Sequence, residues 1–145
     1  MKSIRTEITI DAPVEQVWNT LTKFTAYPQW NPFITTITGK AKEGTQLVAT
    51  IHPPGGKAMT FRPTVLRSDK NREFRWLGKL FVKGLFDGEH YFILTPINEQ
   101  QTQLEHGEHF RGLFVNLIMK QIEGNTMAGF EAMNQALKER AEGLA

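Results

Sequence analysis

The order of hydrophobic patterns along the chain is the strongest constraint on its fold. Residues 3–10 alternate, with Ile4, Ile8 and Ile10 on one face and mostly polar residues on the other, as in a half-buried strand. A short amphipathic helix follows directly, a series of strand patterns comes next, and one long helical pattern closes the chain. This order predicts a sheet wrapped around the closing helix, with a cavity between them that would enclose something small and apolar.

The helix after the first strand is bounded by residues with clear backbone preferences. Asp11 can cap it, and Pro13 fits its first turn, where the N–H that proline lacks would be unpaired anyway. Its apolar stripe consists of Val14, Val17, Trp18 and Leu21. Pro28 and Pro32 prevent a long continuation, so residues 25–30 form at most a second short helix.

The middle of the chain has the pattern of strands joined by tight turns. Clusters of glycine, proline and asparagine separate the strands, with a clear break at 53–56 and turns at 69–71 and 98–101. We predict strands at 35–38, 45–52, 59–65, 72–81, 86–97 and 102–111. Successive strands joined by short turns must be antiparallel neighbours, because parallel pairs need long crossovers.

Residues 113–142 have the pattern of one long helix. Its apolar face is predicted to contain Phe114, Leu117, Ile118, Ile122, Phe130, Met133 and Leu137. Gly124 and Gly129 weaken this helix, by up to about 1 kcal/mol each relative to alanine where they are exposed. A small residue on a packed face also lets another group approach closely.

Length and composition limit the class of protein. At 145 residues, 40% hydrophobic and 22% charged, residues 1–145 are expected to form a single soluble globular domain. The chain enters a strand pattern at once, without a signal peptide or an apolar run long enough to span a membrane, so we expect a cytoplasmic protein. It has no cysteine, which excludes disulfides and thiolate-bound metals. The net charge is only +2 and the basic residues are scattered, so nucleic acid is not an expected partner.

Five segments spread along the chain carry a family resemblance. They are PVEQVW at 13–18 with Leu21, YPQWNPF at 27–33, RWLG at 75–78, LFDGEHYF at 85–92 and EHGEHFRGL at 105–113. Together with the order of elements they resemble the SRPBCC superfamily of START- and polyketide-cyclase-like proteins, and the later segments look like its bacterial polyketide cyclase/dehydrase-like branch. The resemblance implies an α+β helix-grip fold. Six to seven antiparallel strands would curve around the long C-terminal helix, with two short helices after the first strand and a hydrophobic tunnel inside. It implies no catalytic residue, since the superfamily has no common one.

Strand alternation predicts which polar side chains face the cavity. His90 shares a face of its strand with mostly apolar residues, and His106 and Glu108 do the same on the next strand. We therefore expect these three side chains on an otherwise apolar wall. The opposite face, expected to meet water, carries Glu105, His109 and Arg111. A shift of register by one residue would exchange the two faces.

Three roles remain open for the inward polar residues. A buried histidine beside a carboxylate could act as a general base, because burial and a nearby charge move either pKa toward neutrality. The same groups could instead hold a polar atom of a ligand, or simply satisfy each other. His90, His106 and Glu108 could form a two-histidine, one-carboxylate metal site only if their strands place them in register, which the sequence does not fix. We therefore predict neither a metal nor a cofactor.

Aromatic and aliphatic side chains from several segments are the predicted lining of the cavity. With the polar residues, the predicted ligand-binding set is Trp30, Phe33, Phe61, Trp76, His90, Phe92, His106, Glu108, Phe110, Phe114, Ile118, Ile122 and Met133. Methionine and flat aromatic surfaces suit a pocket that accepts several apolar shapes. Taken singly, each apolar member is more often ordinary core than pocket lining, as we expect for Trp18 on the stripe of the first helix.

Three functions fit this sequence. The first is the binding of a small hydrophobic or amphipathic molecule between the sheet and the C-terminal helix, by a monomer or weak homodimer. The second is an enzyme, a cyclase, dehydratase or isomerase, acting on an aromatic or polyketide-like substrate with His106 or Glu108 as base. The third is a protein-interaction module of the co-chaperone type, which exposed apolar residues on the convex face of the sheet would favour. The alternating polar residues of the strands do not supply such a face.

Overall fold

The computed structural model describes residues 1–79 and 84–143. These residues form eight strands and three α-helices. In chain order they are β1 (Lys2–Ile10), α1 (Val14–Thr22), a 3-10 turn (Phe24–Ala26), α2 (Tyr27–Trp30), β2 (Ile34–Thr38), β3 (Val48–Ile51), β4 (Met59–Phe61), β5 (Thr64–Asp69), β6 (Glu73–Lys79), β7 (Asp87–Asn98), β8 (Gln101–Arg111) and α3 (Val115–Ala141). The predicted α+β helix-grip fold is confirmed, with eight strands rather than six to seven.

The strands form two antiparallel sheets that meet at one edge. The larger sheet has the order β1-β8-β7-β6-β5, and the smaller has the order β2-β3-β4. Backbone hydrogen bonds between residues 44–47 and 63–65 join them, among them those from the Leu47 N–H to the Pro63 carbonyl (2.8 Å) and from the Val65 N–H to the Thr45 carbonyl (2.9 Å). The strands therefore continue around the molecule from β1 to β2, as a surface that curves around α3.

Two predicted strands are wrong in detail. The pattern at 59–65 is divided at Pro63 into β4 and β5, which belong to different sheets. Proline cannot donate to a strand ladder, so the chain changes sheet there. The predicted strand at 45–52 is regular only over Val48–Ile51, because Thr45 and Leu47 pair with the chain around Pro63 instead. Residues 80 and 81 of the predicted strand at 72–81 lie outside the described residues.

The buried residues of α3 have helical spacing, but at the start of the helix they are not the residues that the sequence predicted. The residues that face the sheet include Val115, Met119, Ile122, Thr126, Phe130, Met133 and Leu137. They follow one another at intervals of three or four, which traces a single stripe. Phe114 and Leu117 lie off that stripe and are 45% and 64% exposed, so their predicted place on the apolar face is wrong.

The hydrophobic core lies between the larger sheet, α1 and α3. From α1, Val17, Trp18 and Leu21 are buried, which confirms Trp18 as core, and the Trp18 ring packs edge-on against Phe74 of β6. The outer face of the larger sheet carries ion pairs, among them Arg75 with Glu89. No helix among residues 1–79 and 84–143 is long and apolar enough to span a membrane.

Candidate functional site

A cavity of about 230 Å³ lies between the smaller sheet, the β6–β8 part of the larger sheet and α3. Its wall is mostly apolar. The lining residues are Phe33, Ala49, Ile51, Pro53, Gly56, Lys57, Met59, Phe61, Pro63, Trp76, Gly78, Lys79, Phe86, Gly88, His90, Glu108, Phe110, Ile122, Asn125 and Thr126. A dry apolar space of about 150 Å³ is enough to hold benzene, so this cavity can take a molecule somewhat larger than one ring.

The predicted ligand-binding residues divide into two groups. Those that line the cavity are Phe33, Phe61, Trp76, His90, Glu108, Phe110 and Ile122. Those that do not are Trp30, Phe92, His106, Phe114, Ile118 and Met133. Phe92, His106 and Met133 are fully buried in the core, whereas Phe114 is largely exposed at the start of α3. Trp30 and Ile118 are partly buried and pack against the core.

Several lining residues were not predicted from the sequence. Ala49 and Ile51 come from β3, a strand of four residues whose place opposite β6 depends on the curvature of the sheets. Phe86 falls on the predicted inward face two positions before Gly88, and this alternation could have identified it. Thr126 lies on the α3 stripe four residues after Ile122, where helical spacing was the available signal, whereas Asn125 is exposed beside that stripe.

The polar wall of the cavity is formed by His90 on β7 and Glu108 on β8. These residues are direct partners in the antiparallel register, so their side chains leave the same face of the sheet. His90 is buried and packs against the Trp76 ring at a centroid distance of 4.9 Å. Its Nδ1 lies 3.3 Å from Oε1 of Glu108, whose side chain is 16% exposed toward the cavity. A carboxylate and an imidazole therefore meet on an apolar surface.

Glu108 reaches this position because Gly88 has no side chain. Gly88 lies on β7 two residues before His90, on the same face. A Cβ built on Gly88 would overlap Oε2 of Glu108 and would lie 3.1 Å from its Cδ. The carboxylate thus occupies the space that a side chain at position 88 would fill.

Behind His90, a line of hydrogen bonds leads away from the cavity. His90 Nε2 is 2.7 Å from His106 Nε2, and His106 Nδ1 is 2.7 Å from Oδ1 of Asn134 on α3. The Asn134 amide donates to Oγ1 of Thr6 on β1 at 2.8 Å, and the Thr6 hydroxyl donates to the His106 carbonyl at 2.7 Å. The sequence placed His106 on the right face but gave no sign of Asn134 or Thr6, which are distant in the chain.

His106 is enclosed on all sides. Its ring stacks on Phe130 at 4.1 Å and on Phe92 at 4.4 Å. Burial lowers the pKa of His106 well below its ordinary value, the nearby His90 lowers it further, and the hydrogen bond to Asn134 opposes both effects. His106 is therefore a neutral imidazole with one N–H at physiological pH.

The histidine nitrogens do not form a metal site with Glu108. The two Nε2 atoms face each other, and His106 Nδ1 faces Asn134. Within the described part of the chain, no group of three or more histidine, aspartate or glutamate side chains is placed to hold a metal ion.

The fold, with its cavity between the sheets and the long helix, is that of an SRPBCC-type domain, and the sequence places it in a particular family. The family model described as "Polyketide cyclase / dehydrase and lipid transport" matches residues 1–143. The chain therefore belongs to that family, which confirms the resemblance drawn from the motifs. No curated protein sequence matches it significantly.

Solved structures with the same fold are distant in sequence. A START superfamily protein from Mycobacterium smegmatis has 21% identity and a TM-score of 0.74, with 99% of each chain covered. Norcoclaurine synthase from Thalictrum flavum, solved with dopamine and hydroxybenzaldehyde, has 14% identity and a TM-score of 0.74, over 99% of this chain and 88% of that one. The Zhui aromatase/cyclase from Streptomyces sp. R1128 has 14% identity and a TM-score of 0.71, over 97% and 93%. At these identities the likeness establishes the fold alone.

Proposed function

We propose that this protein encloses a small hydrophobic or amphipathic molecule in the cavity, with the polar end of that molecule against His90 and Glu108. The observation that carries the proposal is a carboxylate and an imidazole on the wall of an otherwise apolar cavity. Ligand sites typically combine an apolar surface with a few polar groups that fix orientation. The family description, which includes lipid transport, supports the same reading.

The contact between the polar end of the ligand and the cavity wall is expected to determine which molecules bind. A ligand that buries roughly 200 Å² of apolar surface gains about 5 kcal/mol from that burial. Association itself costs about as much, in lost translational and rotational freedom. Contact with His90 and Glu108 therefore has to supply much of the net affinity. Small aromatic molecules with a hydroxyl or carbonyl group fit both requirements, as do the dopamine and hydroxybenzaldehyde found in the norcoclaurine synthase structure.

A second candidate is an enzyme of the cyclase, dehydratase or isomerase type. The contact between Glu108 and His90 favours it, because such reactions need a positioned acid or base in a water-poor pocket. Glu108 is the better candidate for the base, since it lines the cavity. His106 was an equal candidate in the sequence, but it lies behind His90 and has no contact with the cavity.

The third function, a co-chaperone-like interaction module, has less support. Such a module needs no ligand-sized cavity, and the outer face of the larger sheet carries charged pairs such as Arg75 with Glu89. We also propose that the chain is one domain, cytoplasmic, a monomer or weak homodimer, and without nucleic acid as a partner.

A cavity-filling variant tests the leading proposal. Native mass spectrometry of the protein purified from its expression host, and titration with 2-naphthol, both measure occupancy of the cavity. Ile122→Trp on α3 should fill the cavity and abolish binding. Leu117→Trp, five residues earlier and 64% exposed, should bind as the wild type does. Equal binding by the wild type and Ile122→Trp, or no small-molecule binding by the wild type, would overturn the proposal.

A further inference from the structure

The donor and the acceptor of each hydrogen bond behind His90 can be assigned, and the assignment starts from Thr6. The His106 carbonyl can only accept a hydrogen bond, so the Thr6 hydroxyl must donate its single proton to it across 2.7 Å. The Thr6 oxygen is then free only to accept, and the Asn134 group 2.8 Å away must be its NH₂. The amide of Asn134 is thereby oriented with its oxygen toward His106.

The orientation of Asn134 fixes the tautomers of both histidines. Because Oδ1 of Asn134 accepts, Nδ1 of His106 must carry the hydrogen of their 2.7 Å contact. A neutral His106 then has a lone pair on Nε2, so the hydrogen in the 2.7 Å contact between the two rings belongs to His90 Nε2. His90 therefore uses Nε2 as a donor, away from the cavity, and its Nδ1 is the nitrogen that faces Glu108.

The contact between His90 Nδ1 and the Glu108 carboxylate needs one more proton. If His90 were neutral with its hydrogen on Nε2, the lone pair of Nδ1 would face a carboxylate oxygen at 3.3 Å, which is repulsive. One proton held by the pair, on either Nδ1 or the Glu108 carboxyl group, removes that repulsion. The proton then bridges Nδ1 and Oε1, and the other carboxylate oxygen of Glu108, Oε2, is left to accept a hydrogen bond from a bound molecule.

We propose that Thr6 and Asn134 are positioning residues that hold His106 in its Nδ1–H tautomer and thereby keep one shared proton on the His90–Glu108 pair at the cavity wall. Neither residue touches the cavity described above. Both line a second, more polar cleft together with Glu131. Only the contact between this pair and a bound molecule rests on the proposed function.

Nitrogen NMR of the histidine side chains tests this inference without any ligand. Long-range ¹H–¹⁵N correlation spectra at pH 7 distinguish ring nitrogens that carry hydrogen from those with a lone pair. We expect His106 to be protonated on Nδ1 only, and His90 to be protonated on Nε2 with Nδ1 protonated or hydrogen-bonded. A wild-type His106 protonated on Nε2 with a bare Nδ1 would overturn the inference.

Three threonine variants make the test specific. Thr6→Val removes the hydroxyl that orients Asn134, so the nitrogen shifts of His106 should move toward a mixture of tautomers. Thr6→Ser keeps a hydroxyl and should retain the wild-type shifts. Thr9→Val on the same strand loses only an exposed bond to Gln103 and should also leave them unchanged. Wild-type shifts in a folded Thr6→Val protein would refute the role of Thr6. Absence of ligand binding would count against the proposed function alone.

Discussion

Gly88→Ala should separate the carboxylate of Glu108 from His90 while leaving the rest of the cavity in place. The new Cβ would overlap Oε2 and lie 3.1 Å from Cδ of Glu108, whereas unstrained carbon–carbon contacts are about 3.5–4.0 Å. Glu108 must therefore turn away, and its 3.3 Å contact with His90 is lost. Because a flexible side chain gives way and not the backbone, the fold should survive with a loss of about 1 kcal/mol in the free energy of unfolding.

The effect on binding can be measured with two ligands of the same shape. 2-Naphthol and 2-methylnaphthalene differ only in a hydroxyl and a methyl group, so the ratio of their dissociation constants reports the polar wall. A hydrogen bond to a charged group is worth about 1.5 kcal/mol or more, so the wild type should favour 2-naphthol by about tenfold. Gly88→Ala should reduce that ratio to near one.

A matched control is available on the neighbouring strand. Gly78 on β6 is the register partner of Gly88 and also lines the cavity, but a Cβ there would come no closer than 3.8 Å to Pro63. Gly78→Ala adds the same methyl group to the wall without reaching Glu108, so it should keep the wild-type ratio. The reasoning is refuted if Gly88→Ala keeps the preference for 2-naphthol, or if both variants lose it equally.

Two further predictions concern stability. The lowered pKa of His106 means that the unfolded chain binds a proton near pH 6.5 that the folded protein does not, so the free energy of unfolding should fall as the pH drops below about 6.5, by up to about 1 kcal/mol per pH unit. Urea unfolding of the wild type and His106→Phe between pH 5 and 7 measures this, and equal pH dependence of the two proteins would contradict it. A Cβ on Gly129 would overlap the Phe33 ring, 3.2 Å from its Cγ, whereas one on Gly124 meets nothing within 4 Å. Gly129→Ala should therefore destabilise the protein by about 2 kcal/mol, and Gly124→Ala should stabilise it by up to about 1 kcal/mol. Thermal unfolding of both variants measures this, and a higher unfolding temperature for Gly129→Ala than for Gly124→Ala would contradict this packing.

Strand alternation predicted the face of the polar residues because it depends only on local geometry. The hairpin between β7 and β8 keeps His90 opposite Glu108 despite an irregularity near Pro96. Alternation does not say how far along a strand the cavity extends. Phe92 and His106 share the inward face and are direct partners, but they lie beyond the end of the cavity, in the core.

The rest of the site depends on contacts between distant segments. The bond from Asn134 to Thr6 joins residues 128 positions apart, and no local pattern marks either as part of a site. Nothing in the local sequence distinguishes Gly88 from an ordinary strand glycine, because the need for glycine there depends on where the Glu108 carboxylate lies. The start of α3 was misjudged because Phe114 and Leu117 are apolar yet fall off the stripe that Val115 and Met119 begin.

A crystal structure of the protein soaked with 2-naphthol tests the central claim most directly. The account predicts the ring among Phe61, Phe110 and Ile122, with its oxygen within hydrogen-bond distance of the Glu108 carboxylate. A ring bound outside the cavity, or a cavity that side chains fill completely at saturating ligand, would contradict it.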